Sequence, residues 1–288
     1  MAALIYTDSC SDLTEALAEQ YGIQVIPMPY TVKGSDYLDD FGHSQSYHDF
    51  YECLRHGDFS QTSQITEQRY LEIFTPVLER GDDVLYICFS SGLSGSYNSA
   101  LLAQEELKAR FPDRAFSVVD SLSASLGQGL LVVLAARFMQ QGHSLEETAQ
   151  WVQEHRLNLC HWFTVDDLNH LRRGGRVSSV SAFVGTVLDI KPVLHVDDAG
   201  HLIAMEKTRG RRKALRTLVD KMEKTAVDPS GQIVFISHGD ALEDAQLVAR
   251  MVEERMHPAQ IELGYIGPVI GTHSGPGTVA LFFLGAQR

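Results

Sequence analysis

Cysteine is scarce in this chain and unpatterned. Its four copies (Cys10, Cys53, Cys88, Cys160) include no C-x-x-C pair, so neither a disulfide framework nor a thiolate metal site is written into the 288 residues. Reduced thiols fit a cytoplasmic setting. Long apolar runs are missing too. The longest, Leu130–Ala136, falls far short of the roughly 20 residues that cross a bilayer, which excludes a transmembrane helix and stable membrane insertion. Residues 1–8 lack a basic leader and are expected to form a strand rather than a signal peptide. Positive charge is in the minority: 24 Lys and Arg against 37 Asp and Glu leave a net charge of −13. That field repels nucleic acid over most of the surface. The sequence contains no Walker lysine, no G-x-G-x-x-G, no G-x-S-x-G elbow, no internal repeat and no low-complexity tract. What remains is 44% hydrophobic and 21% charged, a globular composition that excludes disorder, collagen and coiled coil.

The first half alternates short apolar runs with longer helical patterns, which predicts an α/β unit with a parallel sheet. Expected strands are Ala3–Tyr6, Ile23–Met28, Val84–Phe89 and Phe116–Val119. Expected helices are Leu13–Tyr21 capped by Ser11-Asp12, Tyr70–Glu79 after Thr66, a stretch from Ser94 to Arg110, another from Ser125 to near Gly142, and Leu145–His155. Ser144 and Glu147 have capping-box spacing. After residue 157 the rhythm changes. A strand Leu159–Thr164 leads to a hairpin, Pro192–Val196 and His201–Glu206, turning at Asp197–Gly200. A helix Arg212–Thr225, a strand Gln232–Ser237, a helix Leu242–Glu254 and the strands Ile261–Ile266 and Val279–Leu284 follow. The expectation is an N-terminal parallel-sheet α/β domain, residues 1–157, and a C-terminal α+β domain, residues 158–288. A ligand cleft is expected at their interface.

Four loops carry chemistry-bearing residues. Thr62-Ser63-Gln64 offers three polar side chains between expected helices, and by itself it also reads as a cap for the next helix. Ser90–Tyr97 joins the end of a buried parallel strand to a helix start, where free N–H groups and small residues form an anion site. Arg172-Arg173-Gly174-Gly175-Arg176 reads either as a helix C-cap or as a guanidinium held for a carboxylate or phosphate. His273-Ser274-Gly275-Pro276-Gly277 reads as a rigid turn with an imidazole at its head.

Taken together and in order, these segments resemble the DegV family of bacterial fatty-acid-binding proteins over nearly the whole chain. The shared landmarks are Thr7-Asp8-Ser9 with Asp12, Thr62-Ser63-Gln64, Ser90–Tyr97, Leu171–Ser178, Lys191-Pro192 and His273–Gly277. Departures are Ile65-Thr66 where Pro-Ser is usual, Cys10 where Thr is frequent, and Ser96 for a common Thr. The resemblance implies that a fatty-acid carboxylate is held by hydroxyls of Thr62, Ser63 and Ser94 and by His273, with Arg176 as support behind them. It also implies a binding module rather than an enzyme, needing no cofactor or metal. The bound acid is presented to a separate fatty acid kinase, which makes the acyl phosphate.

An acyl chain needs an apolar slot. At about 0.8 kcal/mol per buried methylene, a tail of roughly sixteen carbons gains on the order of 10 kcal/mol. The run Ala182–Ile190 is a candidate lining, through Phe183, Val187 and Leu188, although such a run is equally a plain core segment. Lys207, Arg209, Arg211, Arg212, Lys213 and Arg216 cluster basic charge in an acidic protein; Arg209, Arg211 and Arg212 are the candidate kinase contacts, the other reading being a solvated helix start. A serine-type lipid esterase would use Ser94 as nucleophile and His273 as base, with Asp8 or Asp120 as the orienting acid. A phosphate-ester site, the third class, would be small and wet.

Overall fold

The structure, a computed structural model, describes residues 2–177 and 189–288. The first sheet is wholly parallel in the order β2-β1-β6-β7, from β1 (Ala3–Asp8), β2 (Gln24–Ile26), β6 (Asp83–Cys88) and β7 (Phe116–Asp120). Strand β6 is apolar without interruption from Val84 to Cys88 because both of its faces are covered. Val84, Tyr86 and Cys88 join a core with α3 (Glu67–Glu79) and α4 (Ser96–Arg110), whereas Leu85 and Ile87 join one with α1 (Glu15–Tyr21), α5 (Ser125–Gln140) and α6 (Leu145–His155).

A small antiparallel sheet, β4-β3-β5, leans on this unit together with α2 (Tyr47–Arg55). It consists of β3 (Pro29–Val32), β4 (Ser35–Leu38) and β5 (Ser60–Thr62). The β3–β4 hairpin turns on Lys33 and Gly34, both with positive φ, as a tight two-residue turn requires.

The third sheet has six strands in the order β10-β9-β8-β13-β11-β12, antiparallel except for β11 with β12. They are β8 (Leu159–Thr164), β9 (Ile190–Val196), β10 (Leu202–Arg209), β11 (Ile233–His238), β12 (Gln260–Tyr265) and β13 (Val279–Leu284). Helices α8 (Arg211–Thr225) and α9 (Leu242–Met256) cover one face. The other face meets α5, whose residues Ser125–Val133 are all buried. A helix buried all round belongs between two layers. Two shorter helices, α7 (Leu168–Gly174) and α10 (Pro268–Ser274), complete the described chain. Among the described residues no helix is long and apolar enough to cross a membrane.

Several expectations need correction. Helix α1 is capped by Thr14, which accepts from Leu17 N–H, because Ser11 and Asp12 belong to a preceding tight 3-10 turn. Residues 60–62 form β5, so Thr62 ends a strand rather than lying between helices. Helix α4 begins at Ser96 instead of Ser94. His273 lies in the last turn of α10, not at the head of a free turn.

Candidate functional site

The first landmark is a structural hub. Asp8, fully buried at the end of β1, accepts from Phe89 N–H (2.9 Å), the Tyr86 hydroxyl (2.9 Å), Cys10 N–H (3.2 Å) and Gln128 Nε2 (3.2 Å). Those bonds tie β1, β6 and α5 together and fix where the Ser90–Tyr97 loop leaves the sheet. Burial raises the Asp8 carboxyl above its usual range while these donors pull it back.

Beyond the hub, the four chemistry-bearing loops converge. The Thr62 hydroxyl lies 2.9 Å from His273 Nε2. The opposite ring nitrogen, Nδ1, is buried without a partner among the described residues and packs on Gly174, where a Cβ would collide with it. The tautomer decides which of the pair donates: with the proton on Nε2 the ring donates to Thr62, and with it on Nδ1 Thr62 donates to the ring. In the first case the Thr62 hydroxyl proton is left for a ligand. Burial, with the positive charge of Arg176 nearby, lowers the His273 pKa to about 4, so the ring is neutral at neutral pH.

Ser94 lies two residues before α4 begins. Its Oγ accepts from Ser96 N–H at 3.2 Å and lies 2.9 Å from Ser96 Oγ, which accepts from Ile65 N–H at 3.2 Å. When Ser96 donates to Ser94, the Ser94 proton is left for a ligand. Gln64 packs over Gly95, where a Cβ would overlap its amide, and donates to Ser99 Oγ at 3.1 Å. Helix α4 has no side-chain cap at Gly95 and no acid in its first turn, so its positive end is free to favour an anion. Exposed Arg176 donates to the carbonyls of Leu93 (3.3 Å) and Gly174. It therefore acts on His273 through its charge rather than through a hydrogen bond. Ser63 is exposed beside Thr62, its N–H on the Pro29 carbonyl at 3.3 Å.

Behind this polar cluster lies a cavity of about 270 Å³ that extends between the parallel sheet and the six-stranded sheet. Thr62, Ser63, Ser94, Arg176 and His273 all line it, at the polar end. Its described walls are largely apolar, with Phe163, Leu202, Val269, Ile270, Ala280 and Phe282 among them. The expected tail residues Phe183, Val187 and Leu188 lie outside the described residues. Sequence reasoning missed the strand walls, although Ala280 and Phe282 alternate along β13, with Thr278 just before it, as one face of a strand must. It also missed the seat that Gly95 provides for Gln64. A groove on the outer surface shares Thr62, Ser63, Arg176 and His273 with the cavity and adds His170 and Arg173.

The basic cluster is split. Arg209 and Arg212 are exposed. Arg211, expected as a docking residue, is instead an internal tie: Nε lies 2.8 Å from Asp244 and another nitrogen 3.6 Å from Asp166, and it donates to the Gly277 carbonyl. The esterase geometry is not assembled. His273 pairs with Thr62 and not Ser94, Asp8 serves the hub, and Asp120 accepts from Ser91 and Leu122 N–H groups. His48, Glu52 and Asp240 come together at the surface, where Arg55 donates to both carboxylates and meets their charge.

Comparison with known proteins agrees with this architecture. The DegV family model matches residues 3–286. A DegV domain-containing protein of Clostridium perfringens is 43% identical over 285 residues, covering 99% of this chain and 98% of its own. The structure of a DegV lipid-binding protein from Thermotoga maritima is 30% identical, with a TM-score of 0.88 over 100% of both chains. A DegV family protein from Thermus thermophilus, described by its fatty acid binding, is also 30% identical, with a TM-score of 0.89 over 99% of this chain and 100% of that one. On the family match along nearly its full length, this chain belongs to the DegV family.

Proposed function

We propose that the protein binds a long-chain fatty acid, with its carboxylate at Thr62, Ser63, Ser94 and His273 and its chain in the cavity, and presents it to a separate fatty acid kinase. The observation that carries this reading is an apolar cavity ending in the hydroxyls of Thr62, Ser63 and Ser94, a neutral imidazole and a helix N-terminus. A desolvated carboxylate needs several donors at once, and an acyl chain needs continuous apolar wall. Lipid or fatty acid binding by the Thermotoga and Thermus relatives supports the same ligand class. The outer groove, which shares Thr62, Ser63, Arg176 and His273 with the cavity, supports presentation, since it gives a phosphoryl donor a route to the carboxylate from outside. Exposed Arg209 and Arg212 are the basic contacts offered to an acidic partner face.

In this reading the chain is a carrier in the cytoplasm and catalyses no step itself. Residues 1–157 and 158–288 act as its two domains, with the ligand between them. The test is mass spectrometry of the organic extract of purified, denatured protein. Long-chain fatty acid near one per chain is expected, and empty extracts with no uptake of added palmitate or oleate would overturn the reading. With the kinase added, Ser94→Ala and His273→Ala are expected to lose acyl-phosphate formation while melting as the parent does; unchanged turnover would refute their assignment.

A further inference from the structure

We infer that the protein takes a second class of lipid, an acyl chain amide-linked to an apolar α-amino acid, and that Arg173 and Arg176 hold the amino acid's carboxylate in the outer groove. This rests on the fatty-acid reading and extends the ligand outward from the same hydroxyl cluster. The groove, of about 390 Å³, shares Thr62, Ser63, Arg176 and His273 with the cavity. A head group at those residues has the acyl cavity on one side and the groove on the other. Hydroxyls are neutral donors, so Thr62, Ser63 and Ser94 suit the oxygen of an amide carbonyl as well as that of a carboxylate.

What the groove adds is positive charge that no carboxylate of the chain meets. Arg173 and Arg176 flank Gly174, the residue on which His273 packs. Arg176 donates to the carbonyls of Leu93 and Gly174, and Arg173 Nη2 donates to His170 Nδ1 at 3.2 Å; neither guanidinium has an ion-pair partner among the described residues. Residues 178–188, outside the described ones, contain no Asp or Glu and so supply none. Asp58, the acid among the groove's described lining residues, is matched by Lys33 at 3.0 Å. In a chain of net charge −13, two guanidiniums left without a carboxylate in one groove mark a place for an anion from outside. Arg173 is also held in position. A guanidinium only donates, so His170 Nδ1 accepts, and Nε2 carries the proton that bonds the Thr272 carbonyl. Gly275 seats the ring, since a Cβ there would collide with it. Ordering a long side chain costs rotamer entropy, and this tether preorganises the guanidinium for a ligand.

The rest of the groove separates an amino acid from a phosphoryl group. Phe59, 63% exposed, and Leu54 line it along with the arginines. A phosphoryl head uses the cations and leaves this apolar wall bare. An apolar α-amino acid uses both: its carboxylate stands about 3.5 Å beyond the acyl carbonyl, and its side chain has Phe59 to cover.

The experiment is displacement of a fluorescent fatty-acid analogue by palmitic acid, N-palmitoyl-leucine, the uncharged N-palmitoyl-leucinamide and 2-oxoheptadecylphosphonate, on the parent and on Arg173→Gln. The parent is expected to bind N-palmitoyl-leucine on the order of tenfold more tightly than the leucinamide, and more tightly than the phosphonate. In Arg173→Gln the advantage over the leucinamide is lost while palmitic acid binds as it does to the parent. Equal affinity for N-palmitoyl-leucine and its amide in the parent, or an advantage that survives in the variant, would overturn the assignment. A phosphonate that binds as tightly as N-palmitoyl-leucine would give the groove to a phosphoryl head and overturn the amino-acid class. Failure of the parent to bind palmitic acid would instead strike the fatty-acid reading itself. If Arg173→Gln shows no cooperative melt, the comparison of ligands on the parent decides alone.

Discussion

Glycines serve as seats for side chains from distant segments, among them Gly95 for Gln64, Gly127 for His161, Gly174 for His273 and Gly275 for His170. Each lacks a Cβ where the incoming group needs the space, so a glycine in one motif explains a polar residue in another. Gly174 shows the consequence most directly. It lies in the last turn of α7 without a positive φ, so alanine suits its backbone. The added methyl would strike His273 Nδ1 and turn the imidazole away from Thr62. Gly174→Ala is therefore expected to weaken fatty-acid binding by tenfold or more while the melting temperature shifts by only a few degrees, as read by ligand titration beside a thermal melt. Affinity equal to the parent's would show that the Thr62–His273 contact is dispensable. The residues of this site were legible in the sequence as short motifs of hydroxyls, glycines and one histidine. Their partners were not, because what rests on Gly174 comes from a position about a hundred residues away.

Among the elements, long periodic helices and uninterrupted apolar strands matched their expected spans closely, and short ones did not. Strand β5 is three residues, Ser-Gln-Thr, and owes its existence to pairing with β3 rather than to any apolar pattern of its own. Helix α10 is seven residues with Pro268 in its first turn, too short to show a period. Both carry proposed head-group residues, so the two least legible elements hold Thr62 and His273. Where the local chemistry is self-contained, the reading held. Ser144 accepts from Glu147 N–H at 3.1 Å and the Glu147 carboxylate accepts from Ser144 N–H at 2.7 Å, completing the capping box of α6. Ser144→Ala is expected to cost about 1 kcal/mol, seen as a lower urea midpoint with an unchanged slope. Fatty-acid affinity should stay put, since no α6 residue is among those lining the cavity. A midpoint equal to the parent's would mean that α6 is held by packing alone.

On the scale of the whole molecule, an excess of negative charge reaches the interior. Asp12 follows β1, Asp39 follows β4, and Gly267 caps α10, so one point joins all three sheets. Asp12 accepts from Gly267 N–H at 2.9 Å and from the Ser125 hydroxyl. Asp39 is 3% exposed, and its Oδ2 has no partner among the described residues. Oxygens of both carboxyls lie within about 3.0 Å of where a Gly267 Cβ would stand. Burial, and to a lesser degree neighbouring acids, raise the Asp39 pKa to about 7 and push Asp12 well above its normal range. A carboxyl whose folded pKa is raised binds its proton more tightly in the folded state. Its stabilising contribution is complete below the unfolded pKa near 3.9 and is lost as pH rises through about 7. The sign is opposite to that of an ordinary salt-bridged aspartate. Asp39→Asn keeps the shape, removes the charge and gives Asp12 a donor to face. It is expected to match the parent in urea denaturation near pH 4 and to exceed it at pH 8, by up to roughly 4 kcal/mol if the full shift is expressed. A variant less stable than the parent at pH 8 would mean that ionised Asp39 is held by a compensating positive group, and that the junction of the three sheets depends on the charge it was argued to tolerate.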